Sequence, residues 1–146
     1  MGKWNENRIT VLLADDTASI RKVVLGFLQW ESSIKVVGAA ENFSQTIEMA
    51  TALKPDVVLL DLHMPDHYAF APALVKSKLL LCGSQVLAMS LSSSEDDKES
   101  RALAESFGAI AVLDKANLYH ELIPAILSLN RNDCLVEIPS ETTTGD

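Results

Sequence analysis

The sequence predicts a doubly wound α/β fold, one five-stranded parallel sheet with five helices. Two observations predict the sheet. Short apolar runs alternate with segments whose apolar residues recur at helical spacing, and the runs are apolar on both faces, as strands buried between helix layers are. A third sets the scale: 146 residues are enough for one sizeable core and not for two. Right-handed crossovers then put helices on both sides of the sheet.

The elements follow in order. Ile9 to Leu13 reads as a buried strand, closed by Ala14-Asp15-Asp16. Ile20, Val23, Val24, Phe27 and Leu28 form one face of a helix, with Thr17 and Ser19 available to cap its start. Ile34 to Ala39 is a second strand. Phe43, Ile47, Ala50 and Leu53 give a second helical stripe, ended by Lys54-Pro55. Val57 to Leu60 is the third strand. A helix is expected over Tyr68 to Lys78, with a poor pattern disturbed by Pro72. Gln85 to Met89 is a fourth strand. The run from Ser92 to Asp97 reads as a loop and an acidic helix start leading through Phe107, with Gly108 placed as a C-cap. Ala109 to Leu113 is the fifth strand. Leu118, Leu122, Ile126 and Leu129 form the last stripe, kinked or started late by Pro124. The expected organisation is an N-terminal extension over 1–7, one domain over 8–130 and a loosely ordered tail over 131–146.

Chemistry gathers at the strand ends. The first strand delivers Asp15 and Asp16, the third Asp61, the fourth Ser90, the fifth Asp114 and Lys115. In a doubly wound sheet these groups converge on one edge, where such folds bind ligands. Three carboxylates together repel one another, and a hard divalent cation relieves that repulsion. Mg²⁺ suits oxygen ligands and keeps room for water and a phosphate oxygen. Lys115 suits a phosphoryl oxygen, and the Ser90 hydroxyl can turn towards an anion. The set reads as aspartyl phosphorylation, with Asp61 as the nucleophile. Plainer readings compete: Asp15 and Asp16 as helix caps with Thr17, Asp61 as a loop carboxylate, Lys115 as a surface lysine. His63 and His67 raise the thought of a transition metal, but His63 fits better as a lining of the site's mouth and His67 as a solvated side chain.

Ala14-Asp15-Asp16, Asp61-Leu62-His63-Met64-Pro65, a small hydroxyl residue after the fourth strand and GAIAVLDK ending in Lys115 resemble the receiver domain of two-component response regulators. The resemblance runs from about Arg8 to Asn130, and LKPDVVLLDLHMPD is similar to the form in receivers that precede helix-turn-helix domains. It implies a flavodoxin-like receiver fold with Asp61 as phosphoacceptor. It also implies Mg²⁺ held by Asp16 directly, Asp15 through water, Asp61 and the backbone carbonyl of His63. Ser90 becomes the switch hydroxyl and Lys115 the phosphoryl-binding lysine. The implied partners are a histidine kinase or phosphotransfer protein and a downstream protein, with a homodimer also open. No enzyme activity is expected beyond the chain's own phosphorylation and dephosphorylation.

Departures from the family pattern are explicit. Lys115-Ala116 stands where receivers have Lys-Pro with a cis bond; cis before a non-proline costs about 2.5–4 kcal/mol, so a trans bond and a differently aimed Lys115 are expected. Val112 stands at the aromatic switch position and Ala69 at a usual glycine. The stretch from Ser90 to Lys115 is about three residues longer than usual, so Ser92 or Ser93 competes with Ser90 as the switch hydroxyl. The alternative function is a phosphorylation-independent pseudo-receiver that binds proteins. A phosphohydrolase of the haloacid dehalogenase type is a third reading, disfavoured because its second aspartate would fall on His63.

The formal net charge of −8 disfavours nucleic acid and anionic membrane as direct partners. Cys82 and Cys134 lack zinc-like spacing and read as reduced thiols. With a polar N-terminus and only short apolar runs, the expected location is the cytoplasm.

Overall fold

The computed structural model describes residues 8–91 and 97–137, with side chains over 8–91 and 98–129. Five parallel strands form one sheet in the order β2-β1-β3-β4-β5. They are β1 (Ile9–Ala14), β2 (Ile34–Ala40), β3 (Val57–Asp61), β4 (Gln85–Ser90) and β5 (Ala109–Asp114). Five helices connect or follow them: α1 (Ala18–Leu28), α2 (Phe43–Leu53), α3 (Pro72–Leu81), α4 (Asp97–Ser106) and α5 (Leu118–Glu137). The fold class is the one the alternating pattern predicts. Among the described residues, no helix is long and apolar enough to cross a membrane.

Strand parity divides the apolar side chains into two cores. Val11, Leu13, Leu59, Leu87, Met89 and Leu113 face α1 and α5, packing with Val24, Leu28, Leu122 and Ile126. Leu12, Leu60, Val86 and Ala88 face the other way, meeting Phe43, Val75, Leu79 and Ala104 from α2, α3 and α4, with Phe107 just past α4. Phe43 and Phe107 stack with centroids 5.3 Å apart in that second core. Every residue of β3 is buried, the central strand of the five. At the sheet's edge, β5 departs from the both-faces-buried pattern: Ile110 and Ala111 are exposed.

Several local expectations are corrected. Thr17 occupies the N-cap of α1 but its side chain makes no cap bond; its N–H instead donates to Asp15 Oδ1 at 2.8 Å. The segment expected as a helix over Tyr68 to Lys78 splits into a 3₁₀ turn (His67–Ala69) and α3. Pro72 begins α3 rather than disturbing it, because a first-turn residue has no intrahelical partner for the N–H that proline lacks. The last helix starts at Leu118, ahead of Pro124, and continues to Glu137, past Asn130 where the periodicity stops. Lys54, with φ 47°, ends α2 in the left-handed conformation before Pro55. Ser92 and Ser93 lie outside the described residues.

Candidate functional site

The strand order reverses direction between β1 and β3, so a crevice opens at their carboxyl ends. Ala14 pairs with Leu60 across that boundary, which sets the following residues, Asp15 and Asp61, side by side. One carboxylate oxygen from each of Asp15, Asp16 and Asp61 lies within 4.8 Å of the others. Asp15 and Asp61 are buried and Asp16 is exposed at the rim.

Lys115 supplies the counter-charge. Its Nζ is 2.7 Å from Asp15 Oδ2 and 3.2 Å from Asp61 Oδ1. Asp15 Oδ2 is buried without a well-formed hydrogen bond, so the ion pair is its main compensation. The other Asp61 contact is local: the His63 N–H donates to Oδ1 at 3.0 Å. Arg21 reaches from α1 to donate to the Asp15 carbonyl at 2.7 Å, fixing the loop that carries both β1 aspartates.

Burial raises the Asp61 carboxyl above its ordinary value; the His63 N–H and the Lys115 ammonium pull it down, while Asp15 and Asp16 push it up further. For Lys115, burial works against the charge, but Asp15 and Asp61 outweigh it and the ammonium is held above its ordinary value. One ammonium faces three carboxylates, leaving the crevice short of positive charge. The donor set is all hard oxygen, with one member open to solvent, and it fits Mg²⁺.

The expected trans bond at Lys115-Ala116 is present, since no described peptide bond is cis. The expected re-aiming of Lys115 is not: its ammonium sits against both buried aspartates. Ser90 is buried at the end of β4, and parity turns it towards α4, where its hydroxyl lies 3.2 Å from the buried Ser100 hydroxyl. Ser100 escaped the sequence reading because it sits inside an acidic helix with no motif to mark it. His63 and His67 are both exposed, and His63 lines the groove over the site together with Asp16, Met64 and Phe70. Val112 is half-buried on the second-core side of β5, with no ring to rotate.

Residues 11–127 match the family described as the response regulator receiver domain. The nitrate/nitrite response regulator NarL of Escherichia coli K12 is 36% identical over 93 residues, 64% of this chain and 43% of that protein. The protein-glutamate methylesterase/protein-glutamine glutaminase of Bacillus subtilis is 44% identical over 57 residues, 39% of this chain and 16% of that enzyme. The chain thus matches less than half the length of these relatives. Among solved structures, the signal receiver domain of the putative response regulator NarL from Mycobacterium tuberculosis superposes with a TM-score of 0.73 at 25% identity, covering 86% of this chain and 98% of that one. The non-phosphorylated RcsB receiver of Escherichia coli shares the fold with the same TM-score of 0.73 at 19% identity, over 95% of this chain and all of that one. With a fold, an acidic crevice and a family match that agree over most of its length, the chain belongs to the receiver domains of two-component response regulators.

Proposed function

We propose that this receiver is a phosphorylation switch: Asp61 accepts a phosphoryl group with Mg²⁺ bound, and the modified domain changes its affinity for a partner. The observation that carries the reading is the placement of Lys115 Nζ against Asp15 and Asp61 together. A lysine held there neutralises charge where a phosphoryl group on Asp61 would develop it. Bound Mg²⁺, held by Asp15, Asp16, Asp61 and the His63 carbonyl, would supply a second positive charge for the phosphoryl oxygens.

The donor is a phosphohistidine of a histidine kinase or phosphotransfer protein. An Asp61 carboxylate oxygen attacks phosphorus as the phosphorus–nitrogen bond breaks, and the imidazole nitrogen departs with the electron pair. The His63 N–H and Lys115 help keep Asp61 ionised for that attack despite its burial. A solved complex of the P1 domain of CheA3 with CheY6 from R. sphaeroides, a chain of which matches this one at 22% identity and a TM-score of 0.65, gives such a pairing a precedent. The acyl phosphate carries about −1.5 to −2 charges where the carboxylate carried −1, and the Ser90 hydroxyl then has reason to leave Ser100 for it. No reaction on a second substrate belongs to this reading, and a downstream protein, or a second copy of the chain, receives the signal in the cytoplasm.

Incubation with acetyl phosphate and Mg²⁺, followed by intact-mass measurement, tests the assignment. One base-labile adduct is expected on the wild type and none on Asp61→Asn. Equal labelling of Asp61→Asn removes Asp61 as the acceptor. A wild type that is never labelled, yet still binds a partner, leaves the pseudo-receiver reading, which Val112 in place of a switch aromatic favours.

A further inference from the structure

Lys115 reaches its two aspartates from a trans turn without the proline that resembling receivers carry, so something else must fix the turn. Its own ion pairs do not, because they act at the far end of a flexible four-carbon stem and leave the backbone of the turn unspecified; a turn free to drift would carry the ammonium off its two aspartates for part of the time. The turn is fixed by two carboxylates. Asp114 Oδ1 accepts the Ala116 N–H at 2.9 Å, closing the turn across Lys115. Glu121 of α5 accepts the Asp114 N–H on Oε1 at 3.0 Å and the Asn117 side-chain amide on Oε2 at 3.1 Å, spanning both ends.

Each contact has a structural reason. Ala116 has an N–H to give, and a proline there would have none. β5 is an edge strand, so one row of its N–H groups has no ladder partner, and Glu121 takes the one at Asp114. We propose that Glu121, with Asp114, is a positioning residue for phosphoryl transfer: a carboxylate clamp that holds the Lys115 backbone where its ammonium meets Asp15 and Asp61. The inference rests on the reading of Lys115 as the group that binds the phosphoryl oxygens. Glu121 touches neither reacting atoms nor metal and acts only through Lys115.

That indirectness gives the test. Beryllofluoride, a mimic of the phosphoryl group, is titrated with Mg²⁺ into wild type, Glu121→Ala, Lys115→Ala and the double variant, and binding is read by calorimetry. Glu121→Ala should weaken the mimic on the order of 10-fold, the scale expected when a positioned group drifts by part of an ångström. In the Lys115→Ala background the same change should have no further effect, because the group it positions is gone. Mg²⁺ affinity without beryllofluoride should not fall. Independent, additive losses in the double variant, or a Glu121→Ala that binds the mimic as the wild type does, overturn the clamp. A wild type that binds no beryllofluoride overturns the switch reading instead. Should Glu121→Ala unfold at the working temperature, Glu121→Gln enters the same cycle, since its one acceptor oxygen can serve only one of the two donors.

Discussion

Burial alone would make Asp61 keep its proton, and two neighbouring carboxylates add to that; His63 and Lys115 oppose it without cancelling it. The folded protein therefore binds this proton more tightly than the unfolded chain, whose value is 3.8. The group's contribution to stability is greatest below 3.8 and is lost as pH rises through the folded value, above which the metal-free fold carries an unfavourable ionised carboxylate. Asp61→Asn should accordingly melt above wild type at pH 7 in a chelator, with the gap closing as the pH falls towards about 4. Mg²⁺ should reverse the ranking by stabilising wild type more than Asp61→Asn or Asp16→Ala. A wild type that is already the more stable without metal contradicts this account. Lys115→Met tests the other sign: it strips two buried carboxylates of their ammonium and should cost on the order of 3 kcal/mol in chelator, measured by urea unfolding. These residues were legible because each ends an apolar strand, and parallel pairing makes sequence-distant strand ends neighbours. The aim of Lys115 was not, since the backbone preference at Lys115-Ala116 says nothing of carboxylates that reach the turn from outside it.

At the scale of elements, two contacts tie the crevice to its surroundings. Asp66, five residues past Asp61, takes the Phe43 and Ser44 N–H groups at 2.9 and 3.0 Å, while Asn42 caps the same helix through Gln45 at 2.8 Å. The loop after β3 thus serves as a second N-cap for α2. Asp66→Ala should cost about 1 kcal/mol, read from the urea midpoint, with the denaturant slope unchanged. The other contact is the Ser90–Ser100 hydroxyl pair between β4 and α4. Ser90→Ala should shrink the beryllofluoride-induced change in amide exchange over α4, whereas Ser100→Ala should preserve it. If α4 is indifferent to the mimic in wild type, this pair is not the route of readout. Strands were legible to within a residue or two because apolar runs of five or six have few other places to go. Helix starts were less so. Pro72 reads as a breaker until a preceding turn shows it to be a first residue, and Thr17 reads as a cap until Asp15 is seen holding its N–H.

Over the whole molecule, alternating buried patterns implied a sheet covered on both sides, yet nothing local distinguishes an edge strand from a central one. β5, with Ile110 and Ala111 exposed, shows what was hidden. The sheet that positions the crevice also partitions the apolar interior. The core under α1 and α5 and the core under α2, α3 and α4 form separate clusters on opposite faces of the sheet. Ile126→Val in the first should cost about 1 kcal/mol and Leu79→Ala in the second about 3 kcal/mol. Chemical denaturation of the double variant should give their sum within about 0.5 kcal/mol, because the two sites belong to separate clusters on opposite faces of the sheet. Coupling beyond that would mean strain passes through the sheet. With additivity, each layer of helices can drift in sequence without a matching change in the other, so a receiver of this kind can acquire a new docking surface on one side while the opposite side, and the acidic crevice between them, keep their inheritance.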